Sequence, residues 1–474
     1  MRRVMAGFLW VFLGCGDDGV APPVIDAGPP PPPDAAVPLV DVPLAVSGRA
    51  PLDILFVVDN SGAMRQEQEA LATGFPALLE PLADQDGGLP DLHIGIVSSN
   101  VGTGPTGGGG DACAGNGDNG VMQVGEGFCP ALTDGSRYLI DVLVDEAEGT
   151  REFNYTGDLA SQFACMVQLG TQGCAFEQHL EAMRRALSAD NAANAGFVRD
   201  SAALAVIIVA DEDDCSASDR DVFDPAQDDL EAPLGQLSSF RCFEFGVACA
   251  GEVERETGPR RDCVPDEESV YIEKVSAYAA GLAARKGPRQ VAVMTISGPT
   301  APVEVGIEPG TDPGIVWVEP ACVVCPDGAS SGCPLSPIEP DGALTAGFPA
   351  IRLRALGAAF PIRSHSDICA YGDGALDFAP ALARIGRHLV DQTATRCLSA
   401  APADRDPDTP GLQPLCRVFD EPDETPIRPC DASAEPCFHL IDAPECGASE
   451  LALVLDRGDT AVPPDSRVVL RCAE

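Results

Sequence analysis

The chain has 474 residues, a formal net charge of -43 at pH 7 and a hydrophobic fraction of 45%. That apolar fraction excludes wholesale disorder, and the length allows a large core and more than one folded unit. The acidity argues against nucleic acid as a partner, because a protein that binds phosphate groups needs a basic face.

Residues 1–15 are predicted to be a lipoprotein-type signal peptide. Two arginines precede an apolar stretch at 4–13 that is too short to span a bilayer. The sequence FLGC at 12–15 resembles the bacterial lipobox, in which a small residue precedes a lipidated Cys. Phe12 departs from the usual Leu, so an ordinary secretory signal is the alternative. We expect an exported protein that contacts the membrane only through lipid on Cys15, in the outer membrane or periplasm or at the cell surface.

Residues 16–49 are predicted to form a Pro-rich tether, because the polyproline run at 29–33 is extended and semi-rigid. Strand and helix patterns then alternate from residue 50. The predicted strands are short apolar runs at 54–58, 92–98, 138–144, 204–210 and 291–297.

Helical patterns lie between or after these strands. A helix is predicted over 65–83, and three apolar stripes of helical spacing begin at Phe176, Tyr271 and Phe378. His179 and His388 fall outside the stripes and are predicted to face solvent. The alternation of strands and helices favours a mostly parallel sheet with helices on both faces. We therefore predict a doubly wound α/β fold over residues 50–400.

Long Cys-containing segments interrupt this pattern at about 101–136, 212–268 and 299–348, and we predict that they are disulfide-rich insertions. Residues 401–474 are rich in Pro, Asp and Cys and lack a helical period. Strand-like runs at 451–455 and 468–471 predict a small Cys-rich β module there.

The chain contains 19 cysteines, so 18 remain when Cys15 is set aside. An even number is typical of exported proteins, whose oxidising compartment lets cysteines pair. Plausible local pairs are Cys113 with Cys129 and Cys165 with Cys174. A second group has a spacing that would also suit zinc, although disulfides are favoured in an exported protein: Cys322, Cys325, Cys333 and Cys369.

Acidic side chains directly follow two of the predicted strands. Asp59 follows the strand at 54–58, with Ser61 two residues later, and Asp211 follows the strand at 204–210. In an open α/β sheet, ligands bind where parallel strands end. Two acids at that edge repel each other unless a cation lies between them, and hard cations such as Mg²⁺ take oxygen ligands. The alternative is a purely structural role, in which Asp59 and Ser61 only cap the following helix.

The segment D-N-S-G-A at 59–63 resembles the D-x-S-x-S motif of the von Willebrand factor A domain, a resemblance that covers roughly residues 50–397. It implies a metal-ion-dependent adhesion site. Ser61 and Thr171 would bind the cation, and Asp59 and Asp211 would hold it through water. The implied cation is Mg²⁺, with Mn²⁺ or Ca²⁺ as alternatives. Ala63 replaces the second motif Ser, so we expect a weakened affinity.

The expected function is that of a non-enzymatic, envelope-anchored adhesion module. It would capture a protein ligand that presents an Asp or Glu carboxylate to the cation. One alternative is a structural envelope lipoprotein with a degenerate metal site. A less favoured alternative is a metal-dependent hydrolase, because no His, Lys or Cys stands beside the site in the sequence to act as a base.

Overall fold

The computed structural model describes the chain outside residues 1–23, 26–37, 85–87, 106, 146, 252–254, 332, 334–344, 407, 409–411, 422–423, 431–434, 461, 463–466 and 474. The predicted signal peptide, its Cys15 and the polyproline run at 29–33 lie outside the described residues.

Strands dominate the regular structure. In chain order they are β1 Val24–Ile25, β2 Leu39–Val42, β3 Leu44–Arg49, β4 Leu52–Val58, β5 Leu92–Ser98, β6 Leu139–Asp145, β7 Thr150–Phe153, β8 Ala203–Ala210, β9 Val247–Ala250, β10 Gly258–Pro265, β11 Val291–Ser297, β12 Val303–Ile307, β13 Val316–Val318, β14 Cys322–Val324, β15 Thr345–Gly347, β16 Ile362–Asp367, β17 Tyr371–Gly372, β18 Ala375–Leu376, β19 Ala394–Leu398, β20 Cys416–Glu421, β21 Thr425–Pro429, β22 Cys437–Asp442, β23 Leu451–Asp456 and β24 Arg467–Ala473.

The α-helices in the same part of the chain are α1 Arg65–Ala83, α2 Leu159–Met166, α3 His179–Ala186, α4 Phe240–Gly246, α5 Val275–Arg285, α6 Ile351–Ala358 and α7 Ala379–Thr393. Every helix in the described residues is too short or too polar to cross a lipid bilayer.

A seven-stranded sheet positions the candidate site, with the order β16-β11-β8-β4-β5-β6-β7. The first five strands run parallel, whereas β6 and β7 run antiparallel to their neighbours. In the register of the central strands, Val58 lies opposite both Ser98 and Val209. The carboxyl ends of β4, β5 and β8 therefore meet at one edge of the sheet.

Both faces of this sheet are buried, because its central strands are apolar at consecutive positions. Ile54 and Phe56 of β4 join a core with α1, α2 and α7, whereas Leu55 and Val57 join a second core with α3, α5 and α6. All seven residues of β4 and all eight of β8 are buried. This burial leaves the polar residues that follow the strands as the first groups able to bind a ligand.

A nine-stranded sheet brings together segments from both ends of the chain. Its order is β2-β24-β20-β21-β22-β23-β19-β3, with β1 paired to β22. Because β2 and β3 follow one another in the chain but occupy the two ends of this order, the sheet is nearly closed. Residues 39–49, which we expected in the tether, form these two end strands. The core of the sheet includes Val418, Phe438 and Leu470.

The insertions also form β structure. Strands β9, β10, β12 and β13 make an antiparallel four-stranded sheet, and β14 pairs with β15. Part of the segment at 212–268 therefore hydrogen-bonds to part of the segment at 299–348.

The prediction of a doubly wound α/β fold was wrong. The chain is mostly β, with mixed sheets and a nearly closed, barrel-like one. The prediction failed because an apolar run reveals a strand that is buried on both faces. The many short antiparallel strands in Cys- and Pro-rich segments carry no such pattern.

Nine disulfides join cysteines of the described residues, and the expected local pairs were wrong. All four of those cysteines are bonded, but as Cys113–Cys174 and Cys129–Cys165. Closeness along the chain failed as a guide because loops distant in sequence meet at the sheet edge. The four cysteines whose spacing would also suit zinc form two disulfides, Cys322–Cys369 and Cys325–Cys333.

His388, predicted to face solvent, is fully buried in α7, and burial lowers its pKa to about 4. The prediction failed because α7 is covered on the side away from the sheet as well. There, Arg387 donates a hydrogen bond to the carbonyl oxygen of Val462, and Arg457 pairs with Asp391.

Two glycines allow helices α1 and α7 to pack closely. A Cβ atom at Gly74 would lie 2.9 Å from Leu382 Cδ1, and one at Gly386 would lie 2.4 Å from the carbonyl oxygen of Leu78. The contact at Gly386 is with backbone, so a side chain there cannot be accommodated without a shift of the helices. The small residues therefore set the separation of α1 from α7.

We predict that Gly386→Ala destabilises the protein by about 1–3 kcal/mol, because the new methyl group overpacks the α1–α7 contact. The matched control is Gly281→Ala in α5, where a Cβ would meet nothing within 4 Å. That change should instead stabilise by about 0.5–1 kcal/mol through helix propensity. Urea unfolding measures both. Equal effects of the two substitutions would contradict the close helix packing.

Candidate functional site

A cavity of about 310 Å³ lies at the carboxyl edge of the seven-stranded sheet. Its floor is formed by the loops that follow β4 and β8. Its walls come from α4, from the β12–β13 hairpin and from the connection between β15 and α6. Two of the Cys-rich insertions thus enclose the sheet edge at which the sequence predicts the cation-binding residues.

Asp59 is fully buried at the end of β4 and has hydrogen-bond partners on both carboxylate oxygens. Its Oδ1 accepts hydrogen bonds from the backbone N–H of Ser61 at 2.7 Å and from Ser99 Oγ at 3.4 Å. Its Oδ2 lies 3.3 Å from His179 Nε2. The Asp59 carboxylate is therefore held in one orientation behind Ser61, which lines the cavity.

Asp211 lines the same cavity from the end of β8, with 4% of its surface exposed. Its Oδ1 is buried and has no hydrogen-bond partner in the described part of the chain. Burial, together with the nearby charges of Asp59 and Glu212, raises the pKa of Asp211 well above its usual value. The side chain therefore has an unused acceptor at the floor of the cavity.

Thr171 lies in a loop that contacts the Asp59 loop, but it is half-buried and does not line the cavity. Gln68 Nε2 donates hydrogen bonds to the carbonyl oxygens of both Asp59 and Gly170. The N–H of Gly173 donates to the carbonyl oxygen of Asn60 at 2.8 Å. The structure thus brings Ser61 and Asp211 to the cavity, with Asp59 behind them and Thr171 in the adjoining loop.

Sequence reasoning missed two acids that lie near these residues. Burial, with the charge of Asp59 as a smaller cause, raises the pKa of Glu67 to about 7, although a hydrogen bond from Thr345 opposes this shift. Burial and the charge of Glu212 raise the pKa of Glu177 well above its usual value. Glu67 follows Asp59 by eight residues, but no pattern in the sequence distinguishes it or Glu177 from a surface acid.

The acids that follow Asp211 have different roles. The Asp213 carboxylate accepts hydrogen bonds from the N–H groups of Arg352 and Leu353, at the start of α6. Asp214 forms a fully buried ion pair with Arg352 at 3.0 Å and accepts a hydrogen bond from the N–H of Leu180. These two acids therefore orient α6 and α3. All three acids line the cavity, and burial and the charge of Asp59 raise the pKa of Glu212 to about 7.

His179 was wrongly predicted to face solvent: it is fully buried at the start of α3, beside Asp59. Burial alone would lower its pKa, but the hydrogen bond and charge of Asp59 raise it above the usual value. The apolar stripe of α3 described only the face toward the sheet and not the helix end, which points at the strand edges.

The site contains more buried acid than the protein's own cations neutralise. In the described part of the chain, no lysine or arginine forms an ion pair with Asp59, Glu67, Glu177 or Asp211, and His179 alone pairs with Asp59. Carboxylate and hydroxyl oxygens are the ligands that Mg²⁺ prefers. The residues present, with the unpartnered Asp211 Oδ1 among them, therefore fit a hard divalent cation.

Comparison with known proteins gives weak likenesses. No family model and no curated protein matches the chain. Similar solved structures are pilus adhesins: SpaC from Lactobacillus rhamnosus GG (TM-score 0.29, 12% identity, 89% of this chain and 38% of that one), RrgA from Streptococcus pneumoniae (0.20, 11%, 92% and 58%) and GBS104 from Group B Streptococcus agalactiae (0.29, 9%, 92% and 81%). The chain spans less than two thirds of SpaC and of RrgA.

The assignment of the chain to the von Willebrand factor A family was wrong. No family model matches the chain, that of the von Willebrand factor A domain included. The assignment rested on five residues at 59–63 and on two isolated matches, Thr171 and Asp211. A motif this short recurs wherever a strand ends in an Asx- or Ser-rich turn before a helix.

We predict that Arg352→Met destabilises the protein by about 3–5 kcal/mol, because it leaves Asp214 buried without its cation. The matched control on the same helix is Arg354→Met, whose partner Asp459 is exposed and whose loss should cost less than about 1 kcal/mol. Guanidinium unfolding measures both. The double variant Arg352→Met/Asp214→Asn should recover part of the loss, and no recovery would contradict the role given to the pair.

Proposed function

We propose that the chain is an exported binding protein whose ligand site is a divalent-cation centre at the carboxyl edge of the seven-stranded sheet. The observation that carries the proposal is Asp211 Oδ1, a buried acceptor without a partner at the floor of a cavity. The neighbouring Asp59 carboxylate makes the same position unfavourable for any anion unless a cation is bound.

The physical argument concerns charge. Desolvated carboxylates that share a site cannot all ionise, so they take up protons or bind a cation. Asp211 would hold the cation and Ser61 would add a hydroxyl oxygen, while the charge of Asp59 would act from behind Ser61. A contribution from Thr171 would require its loop to move toward the cavity, which it does not line. Mg²⁺ keeps several waters and needs few protein ligands, so replacement of the Ser by Ala63 is compatible with binding. When bound, the cation supplies a position that a ligand oxygen can take.

We propose a binding role and not catalysis. Among the described residues, the cavity lining contains no lysine, no histidine and no free thiol, since its Cys242 is disulfide-bonded. The partner would present a carboxylate to the cation, which suits an adhesion module. The competing role, a structural envelope protein with an inactive metal site, makes the opposite prediction for metal-linked stability.

Asp59→Asn and Asp211→Asn should each abolish stabilisation by Mg²⁺ or Mn²⁺. A cation at a hundred times its dissociation constant adds about 2.7 kcal/mol to the free energy of unfolding of the unchanged protein. Thermal unfolding in EDTA and then in excess cation measures the difference. In EDTA, Asp211→Asn should be at least as stable as the unchanged chain, because it removes one of the repelling charges.

The control for these variants is Asp190→Asn, an exposed acid away from the cavity, which should keep the full cation-linked shift. Ala63→Ser should lower the concentration of cation needed for half of that shift. If the unchanged chain shows no shift with either cation, the binding proposal fails and the structural role stands.

Nine disulfides support an oxidising compartment outside the cytosol, where such bonds persist. We further propose that Cys15 carries a lipid that holds the protein at a membrane surface. In a bacterial host, Cys15→Ser should abolish incorporation of labelled fatty acid and move the protein from the membrane to the soluble exported fraction. Retention of the variant on membranes would contradict lipid anchoring at Cys15.

A further inference from the structure

We infer that the cavity over the cation site takes a small carboxylate with an apolar or aromatic body. The ligand is either a free organic acid or the C-terminal residue of a peptide, which offer the same chemistry. This inference rests on the proposed function, because an anion can enter this acidic cavity only when a cation is bound.

The size of the cavity limits the ligand. Its volume of about 310 Å³ lies at the lower end of the range for small-molecule sites, roughly 300–1,000 Å³. Ser61 and Asp211 are only 7% and 4% exposed, so a ligand has to enter the cavity to reach them. A flat protein surface cannot do this, whereas a single chain end or a small acid can.

Covalent and apolar contacts fix the walls of the cavity. The disulfide Cys215–Cys242 joins α4 to the segment just after the acidic loop of β8. Phe240 and Phe243 of α4 share a buried cluster with Val305 of β12 and Val316 of β13. The two insertions thus form one packed unit, so the opening is preformed rather than created by the ligand.

Aromatic side chains line these walls and suit an apolar body. Phe240 and Phe243 contribute one pair of rings with centroids 5.9 Å apart, and Trp317 and Phe348 contribute another at 5.8 Å. Aromatic rings supply large apolar contact with little loss of side-chain freedom. Burial of a ligand's apolar part against these rings would provide much of the affinity.

An unpartnered donor on the same walls suits the charged end of the ligand. Trp317 Nε1 is buried and has no hydrogen-bond partner among the described residues, although Trp317 lines the cavity. The indole N–H can only donate a hydrogen bond. A carboxylate accepts from this donor while one of its oxygens binds the cation held by Asp211. Glu212 and Glu308 also line the cavity and would repel this anion if the cation were absent.

The test uses the full chain, exported and oxidised, with Mn²⁺ and 3-phenylpropionate as probes. Trp317 serves as a fluorescent reporter, because the second tryptophan, Trp10, lies in the predicted signal peptide. Mn²⁺ binding is first measured alone by calorimetry. The probe should then change the Trp317 emission in Mn²⁺ but not in EDTA, and 3-phenylpropionamide should bind at least tenfold more weakly.

Peptides that end in Phe distinguish the two sources of the carboxylate. If the natural ligand is a chain end, a pentapeptide free acid should bind at least as tightly as 3-phenylpropionate. If it is a free acid, the peptide should bind at least tenfold more weakly. Either result supports the shared chemistry, provided that the C-terminal amide of the peptide loses binding.

Two substitutions place the probe in the cavity. Trp317→Phe keeps a ring but removes the donor, and Phe243→Ala removes apolar contact. Each should weaken probe binding at least tenfold by calorimetry while leaving the Mn²⁺ affinity unchanged. The control is Phe128→Ala, whose ring is 93% exposed and does not line this cavity.

The outcomes separate the two proposals. Absence of Mn²⁺ binding overturns the proposed function and this inference with it. Mn²⁺ binding without probe binding overturns only this inference, as does probe binding that survives EDTA or both substitutions. Binding of phenylpropionamide as tight as that of the acid would also overturn it, because the carboxylate would then not be recognised.

Discussion

The burial of carboxylates at the ends of β4 and β8 is the constraint on which the site depends. The two strands are neighbours in parallel register, so their first polar residues, Asp59 and Asp211, leave the sheet side by side. Desolvation makes ionised carboxylates costly unless a positive group compensates them. The compensation is uneven: Arg352 pairs with Asp214, whereas Asp211 Oδ1 has no partner among the residues that the structure describes. That imbalance separates the structural acids of the loop from those open to a ligand.

The Cys-rich insertions enclose the carboxyl edge of the seven-stranded sheet and thereby form the cavity of the proposed site. Without α4 and the β12–β13 hairpin, the acids after β4 and β8 would face solvent, where their charges would be screened. Enclosure lowers the local dielectric and strengthens every interaction at the floor of the cavity. Because Cys215–Cys242 holds α4 in place, the electrostatics of the site depend on oxidation of the chain. The proposed ligand site therefore depends on a compartment in which this disulfide persists.

Much of the central sheet could be predicted from sequence. The predicted strands at 92–98 and 291–297 match β5 and β11, and the helix predicted at 65–83 matches α1. The placement of Asp59 and Asp211 at adjacent strand ends was also correct, because long apolar runs mark fully buried strands. The antiparallel strands, and with them the fold class, could not be predicted, since short strands such as β14 and β15 have no apolar period.

The rest of the site depends on tertiary contacts that local pattern does not encode. The residues next to His179 in the sequence do not indicate that it contacts Asp59, which is 120 residues away. Those next to Glu67 do not indicate that it is buried. Thr171 was placed by analogy with a motif, and the structure puts it in the adjoining loop instead of at the cavity wall. The disulfide partners were predicted wrongly for the same reason. Cys113 and Cys174 are 61 residues apart in the chain, but their loops pack together.

The nearly closed nine-stranded sheet has a mechanical consequence. β2 runs antiparallel to β24 over four residue pairs, and Cys416–Cys472 fastens β24 to β20. Tension from the N-terminal side first loads the pairing of β1 with β22 in the same sheet. Tension that passes on to β2 and acts along this strand is resisted by the β2–β24 hydrogen bonds together instead of one by one. The covalent link passes the load across this sheet. A protein held at a surface through that end of the chain could thus bear traction without distorting the cavity, which belongs to a different sheet.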